Sequence, residues 1–240
     1  MSAEMSPFLE EQLQLNNRRE KLHPALKVLV NFFAQLEVRG LENLPLTGNT
    51  MLMGNHVSTV DPILITAAIN SRYVISMAKA ETLDTLITRF GLRTWGNFIV
   101  NRGEVDRVAL KNAIDLIKAE QLLWIAPEGT RNPKGLGEAR GGVSYIAHKA
   151  QATIVPTAMC GPQTWWQRLS HFRQAEALIV FGKPFRFRIP EGERLSRDVR
   201  EQMIQEAMYQ LAITMPEEYA YQRGVYSDIE NATTKYLDFL

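Results

Sequence analysis

With 240 residues, 45% of them apolar and 22% charged, the chain can hold one large domain with its own core or two small ones. A formal net charge of +1, with no Lys/Arg block interleaved with aromatics, argues against a nucleic-acid binder. The one cysteine, Cys160, excludes an intramolecular disulfide framework and a cysteine-built zinc site, and its place at the end of an apolar run predicts a buried thiol. The first residues carry Glu4, Glu10 and Glu11 without a continuous apolar core, which does not read as a signal peptide. No run of about eighteen apolar residues occurs, so no spanning helix is expected. A cytoplasmic setting fits these features.

Residues 1–22 are polar with scattered leucines, and are expected to be partly helical and peripheral. Pro24 to Leu36 differs. Leu26, Val28, Leu29, Val30, Phe32, Phe33 and Leu36 cover most of a helical circumference, and such a helix is buried or lies against lipid. As a helix it would span about 20 Å, too short for a hydrocarbon core of about 30 Å. It is therefore expected to lie in the membrane interface, with Trp165, Trp166 and Phe172 as companions; packing on the core of its own domain is the alternative. This divides the chain into an N-terminal segment, 1–37, and a domain, 38–240.

Gly40, Pro45 and Gly48 then mark turns that lead into an apolar run, Met51-Leu52-Met53, read as a buried strand. From there the pattern alternates. Helices are expected over Pro62–Ile69, Glu81–Phe90, Val105–Lys118 and Val143–Lys149. Strands are expected over Tyr73–Met77, Asn97–Val100, Gln121–Ala126 and Thr153–Ala158. Apolar strands without a clean two-residue period indicate an α/β domain whose central sheet is largely parallel or mixed and covered on both faces. A short aromatic segment, Trp165–Phe172, precedes one or two edge strands over Ala177–Phe187, broken by Pro184. Leu195, Val199, Met203, Ala207 and Leu211 lie four apart, the stripe of a closing helix. The tail from Pro216 is polar and rich in turns.

Parallel strands put their carboxyl ends on one edge, where α/β folds hold ligands. The unusual residues fall at those ends. His56 follows the first apolar strand with Asp61 five residues on, a candidate general base with a carboxylate to fix its tautomer. The bland alternative is that Ser58 and Asp61 cap the next helix. Arg102 follows Asn97–Val100, and Glu128-Gly129-Thr130-Arg131 follows Gln121–Ala126. Two arginines beyond apolar strands suggest an anion site, with Gly129 letting backbone amides face the same oxygens; as solvated loop ends they would instead pair with Glu104 or Glu128. A G-x-S-x-G elbow, an H-E-x-x-H zinc motif, a P-loop and a complete dinucleotide fingerprint are all absent.

NHVSTVD, GNFIVNR, PEGTR and IVP, in this order, resemble the motifs of the glycerophospholipid acyltransferases of the 1-acylglycerol-3-phosphate type. The resemblance runs from about Val38 to Tyr226. It implies that His56 is the base and Asp61 its orienting partner. It places Arg102, Glu128, Gly129, Thr130 and Arg131 on the substrate's phosphate, and Ile154, Val155 and Pro156 on the acyl-donor side. The implied reaction moves a fatty acyl group from acyl-CoA or acyl-carrier protein, as co-substrate and without a cofactor or metal, to the free hydroxyl of 1-acyl-glycerol-3-phosphate. Phosphatidic acid for phospholipid biosynthesis is the product. Another lysophospholipid or an amino-acid lipid is the alternative acceptor; a non-catalytic lipid-binding relative and a metal hydrolase using His56, Asp61 and Glu128 are the other readings. The expected place of action is the inner face of the membrane, reached by peripheral attachment.

Three departures from the pattern stand out. Ala126 replaces an aromatic before the proline of the third motif. Asn101 stands where aspartate is common. Glu138-Ala139-Arg140-Gly141 replaces Phe-Lys-x-Gly, which displaces the basic residue.

Overall fold

A computed structural model describes residues 5–79, 86–100 and 106–240. Two helices open the chain, α1 (Pro7–Gln14), capped by the Ser6 hydroxyl, and α2 (Asn16–Phe33). Next come β1 (Ala34–Arg39), a short 3-10 turn, β2 (Thr50–Gly54), α3 (Asp61–Ala68) and β3 (Val74–Lys79). They are followed by α4 (Leu86–Trp95), β4 (Phe98–Val100), α5 (Arg107–Lys118), β5 (Leu122–Ile125), α6 (Gly142–Ala150) and β6 (Thr153–Cys160). The last elements are α7 (Trp165–Ser170), β7 (Ala175–Phe181), β8 (Phe185–Phe187), α8 (Arg197–Thr214), 3-10 turns over Glu217–Tyr226 and Ile229–Asn231, and β9 (Leu237–Phe239). The expected helix over Glu81–Phe90 falls partly on residues 81–85, outside the described residues.

The strands form one mixed sheet in the order β1-β7-β6-β2-β5-β3-β4, with β8 beside β6 and β9 beside β8. Five neighbours, β6-β2-β5-β3-β4, run parallel. β7 is antiparallel to β6 and carries β1 parallel to itself. Side chains alternate between the faces. Met51, Met53, Leu123, Ile125 and Ile154 point to the layer of α5, α6 and α8; Leu52, Trp124 and Val155 point to that of α2, α3 and α7. Both faces are covered, which is why the strand sequences read as unbroken apolar runs.

Two expectations need correction. The apolar helix ends at Phe33 rather than Leu36, because Ala34–Arg39 pairs with Ala175–Val180; the strand crosses the border expected between residues 37 and 38. β7 is also no edge strand, since β1 covers its outer side.

Helix starts follow side-chain caps. Asp106 accepts from the Ala109 amide to open α5, and Ser196 from the Val199 amide to open α8. Arg19, fully buried in α2, donates to Gln12 O, to the Gln12 and Asn16 side-chain oxygens, and to Trp95 O, fastening both N-terminal helices to the turn after α4. Burial lowers its pKa to about 10.

The connections locate the site. After β2 the chain passes through α3, on one face, to β3 on the far side of β5. After β5 it passes through α6, on the other face, to β6 on the far side of β2. Two adjacent strands whose loops depart to opposite faces leave a crevice at their carboxyl ends. The loops that border it are 55–60 and 126–141.

Candidate active site

His56 stands at the mouth of this crevice. Its Nδ1 lies 2.8 Å from Asp61 Oδ2, and the same oxygen accepts the amides of Val57 at 2.7 Å and Ser58 at 2.8 Å. Asp61 is 0% exposed. An ionised carboxylate only accepts, so Nδ1 carries the proton and Nε2 the lone pair. The capping alternative is partly right. Asp61 sits in the first turn of α3 and binds loop amides, but the N-cap residue is Val60, which has no side-chain cap, and the imidazole shares the carboxylate. Trp124 meets the His56 ring edge to face, with centroids 5.5 Å apart. The Trp124 indole nitrogen and Asp61 Oδ1 are buried without a hydrogen-bond partner among the described residues. Such groups in a folded protein point to a functional or strained site.

The loop after β5 is tied to this histidine. The Asn132 amide donates to His56 O at 2.7 Å, and its side chain donates to Glu128 Oε1 at 3.2 Å. The Gly137 amide donates to the same oxygen at 2.7 Å. Glu128 is buried, and through Oε1 it braces the loop, while its Oε2 has no hydrogen-bond partner among the described residues. Burial pushes its carboxyl above the usual range, against the opposing pull of the Gly137 amide, Asn132 and His56. Thr130 and Arg131 are exposed at the loop tip, and Arg131 has no ion-pair partner among the described residues.

Gly129 plays a part other than the expected nest. Its amide is already bonded to Ala126 O at 3.0 Å, and its φ is +65°. A Cβ there would lie 3.1 Å from Cδ and 3.2 Å from Nε of Arg140. The glycine makes room for an arginine side chain. Arg140, whose own amide bonds to Pro127 O, thus returns a cation to the loop that seemed to lose it when Glu138-Ala139-Arg140-Gly141 replaced the common motif.

The remaining predicted residues are placed as follows. Arg102, with Asn101, lies outside the described residues. Ile154, Val155 and Pro156 lie in β6, buried beside β2, where Ile154 and Val155 point to opposite layers. All three are buried in the sheet.

Several further residues reach the site without a role there having been assigned to them from the sequence. Asn55 exchanges two hydrogen bonds with Met159, locking the end of β2 to β6. Trp166 donates to the Thr59 hydroxyl at 3.3 Å, within the His56–Asp61 loop. Gln222 and Val225 clamp Leu136 through backbone bonds, which gives the tail a structural duty at the site loop. Asn55 is adjacent to His56 in sequence and carries that signal; the other contacts join residues too far apart in the chain to announce themselves.

A family model described as Acyltransferase matches residues 35–160, more than half of the chain. The chain belongs to this acyltransferase family. The match contains His56, Asp61, Glu128, Gly129, Thr130, Arg131 and the Ile154–Pro156 strand segment. The 1-acyl-sn-glycerol-3-phosphate acyltransferase of Bacillus subtilis is 28% identical over 176 residues, 72% of this chain and 86% of that one. Its counterpart in Borreliella burgdorferi is 26% identical over 174 residues, 70% of this chain and 69% of that one. The crystal structure of the 1-acyl-sn-glycerophosphate acyltransferase PlsC from Thermotoga maritima superposes with a TM-score of 0.58 at 19% identity, covering 83% of each chain. At that identity the likeness is one of fold.

Proposed function

We propose that this acyltransferase transfers a fatty acyl group from an acyl thioester to the free hydroxyl of 1-acyl-glycerol-3-phosphate, giving phosphatidic acid. The observation that carries the reading is the 2.8 Å bond between His56 Nδ1 and buried Asp61, which leaves Nε2 free beside a loop bearing Arg131 and Arg140. Nε2 takes the proton of the acceptor hydroxyl while its oxygen attacks the thioester carbonyl. The C–S bond then breaks, and the departing thiolate takes the proton from the imidazolium. Asp61 stabilises the charged ring in between. No acyl-enzyme forms. Arg131 and Arg140 suit a phosphomonoester, whose oxygens accept paired guanidinium donors. The relatives of Bacillus subtilis and Borreliella burgdorferi are named for the same acceptor. A metal hydrolase has less support: among the described residues no three His, Cys, Asp or Glu side chains converge on one point.

Access to lipid is proposed to run through residues 24–33 and α7. No described helix is long and apolar enough to cross a membrane. Val28, Leu29, Phe32 and Trp166 are nonetheless exposed, and Phe172 fully so. The Gln174 side chain donates to Asn31 O and Phe32 O, so the chain after α7 meets the end of α2. These apolar side chains support interfacial attachment over packing on the chain's own core.

The test is product formation by purified protein supplied with an acyl thioester and lysophosphatidic acid, with and without chelator. Phosphatidic acid should appear in both. Transfer only to acceptors without a phosphomonoester, or none once metal is chelated, would sink the reading.

A further inference from the structure

A second concave surface opens on the face of the sheet covered by α5, α6 and α8. Arg107 and Lys111 project from α5, Arg197 and Arg200 from α8, and Tyr145 from α6. The cleft measures about 590 Å³, within the range of small-molecule sites. Its floor includes Leu110 and Ile114, one turn apart on α5. Gly141 and Gly142 keep it open: a Cβ at Gly141 would meet nothing within 4 Å.

The charge is one-sided. Among the described residues Glu201 is the only carboxylate on the lining, and it pairs with Arg197. Lys111 pairs with Asp115, just outside. Arg107 and Arg200 have no ion-pair partner among the described residues. Four cations around an aromatic ring and two aliphatic side chains suit a ligand with several phosphates and a flat apolar part.

Position narrows the ligand further. The exposed apolar side chains of α2 and α7 belong to the opposite face of the sheet. A protein resting on lipid through them turns this cleft toward water, away from lipid headgroups. Its near end is joined to the candidate active site, because Gly141 follows Arg140, whose side chain lies on Gly129. The acceptor arrives with the bilayer, whereas a thioester donor arrives from water on a carrier. We propose that the cleft binds the phosphorylated nucleotide handle of an acyl-coenzyme A donor, phosphates among the four cations and the base against Tyr145. An acidic helix of a carrier protein fits less well, since it would call for an extended convex-to-flat basic surface rather than a pocket of ligand size.

The proposal rests on the acyl-transfer reading but is tested apart from it, by calorimetric binding of coenzyme A. Wild type should bind coenzyme A more tightly than 4′-phosphopantetheine, which lacks the nucleotide. Arg107→Glu with Arg200→Glu should weaken coenzyme A about tenfold or more, raise the KM for acyl-CoA in parallel, and leave phosphopantetheine affinity within about twofold. Both arginines lie in first helical turns and have no ion-pair partner among the described residues, and circular dichroism checks that the variant is folded. Unchanged coenzyme A binding in the variant, no binding by wild type, or a loss confined to acyl-carrier protein would overturn the proposal. Cleft-dependent coenzyme A binding without phosphatidic acid formation would instead overturn the acyl-transfer reading and leave the cleft standing.

Discussion

At the scale of single residues, the account turns on how one buried carboxylate is shared. Asp61 Oδ2 accepts three N–H groups, and only one of them belongs to His56. In Asp61→Asn the loop amides would hold the amide oxygen at the Oδ2 position, where it still accepts Nδ1–H, so the variant keeps the tautomer, buries an NH2 without an acceptor and loses the charge that stabilises the imidazolium. We expect kcat to fall about 10²–10⁴-fold with the fold intact, read from turnover beside circular dichroism. Full activity in Asp61→Asn would mean that the carboxylate only shapes the loop. Arg131 and Arg140 should act on the acceptor. Replacing either by Ala should lower kcat/KM for a phosphate-bearing acceptor about 10-fold or more while barely moving the donor's KM, and equal losses toward a phosphate-free acceptor would remove that role. Glu128 makes a pH prediction. Burial holds its carboxyl above the usual range, so its contribution to stability is full below the ordinary glutamate value and is lost as pH rises through the raised one. Glu128→Gln keeps an acceptor for the Gly137 amide and removes the charge. It should raise Tm at neutral pH, with the gain shrinking as pH falls through the raised value and levelling off below about pH 4.3; a gain independent of pH would contradict the assignment. His56, Asp61 and Arg131 were legible because each follows an apolar strand. Arg140 was not, since its place depends on a missing side chain at Gly129, eleven residues earlier.

Among the elements, α2 separates what local pattern can and cannot tell. Its apolar run was visible, but its end was not. Ala34–Leu36 continues a helical pattern yet pairs with Ala175–Ala177, so sheet formation with a distant strand overrides local preference. The tail after α8 read as polar turns, whereas buried Glu206 holds it through the amides of Lys235 and Tyr236 and the Thr233 hydroxyl. The exposed apolar end of α2 carries an element-level prediction. Burying a Phe side chain is worth about 1.5–3 kcal/mol, so Phe32 and Phe33 can hold the protein on lipid without help from charge. Co-sedimentation with neutral as well as anionic vesicles should persist in high salt and drop in a Phe32→Ser, Phe33→Ser double variant. Release by salt would show that electrostatic attraction, which is screened, does the holding.

For the molecule as a whole, alternating strands and helices were enough to place a mixed α/β sheet and to put the chemistry at its carboxyl edge. Strand order was not legible, and it is strand order that sets β2 beside β5 with their helices on opposite faces. That arrangement brings the His56 loop to the Glu128–Arg131 loop. All of this serves a single claim, that His56 removes the acceptor's proton in direct acyl transfer. The most direct measurement is steady-state phosphatidic acid formation from acyl thioester and lysophosphatidic acid by a His56→Ala protein of unchanged circular dichroism. The account predicts a loss of about 10²–10⁴-fold, or roughly 3–5 kcal/mol of barrier. Turnover at the wild-type rate would contradict it.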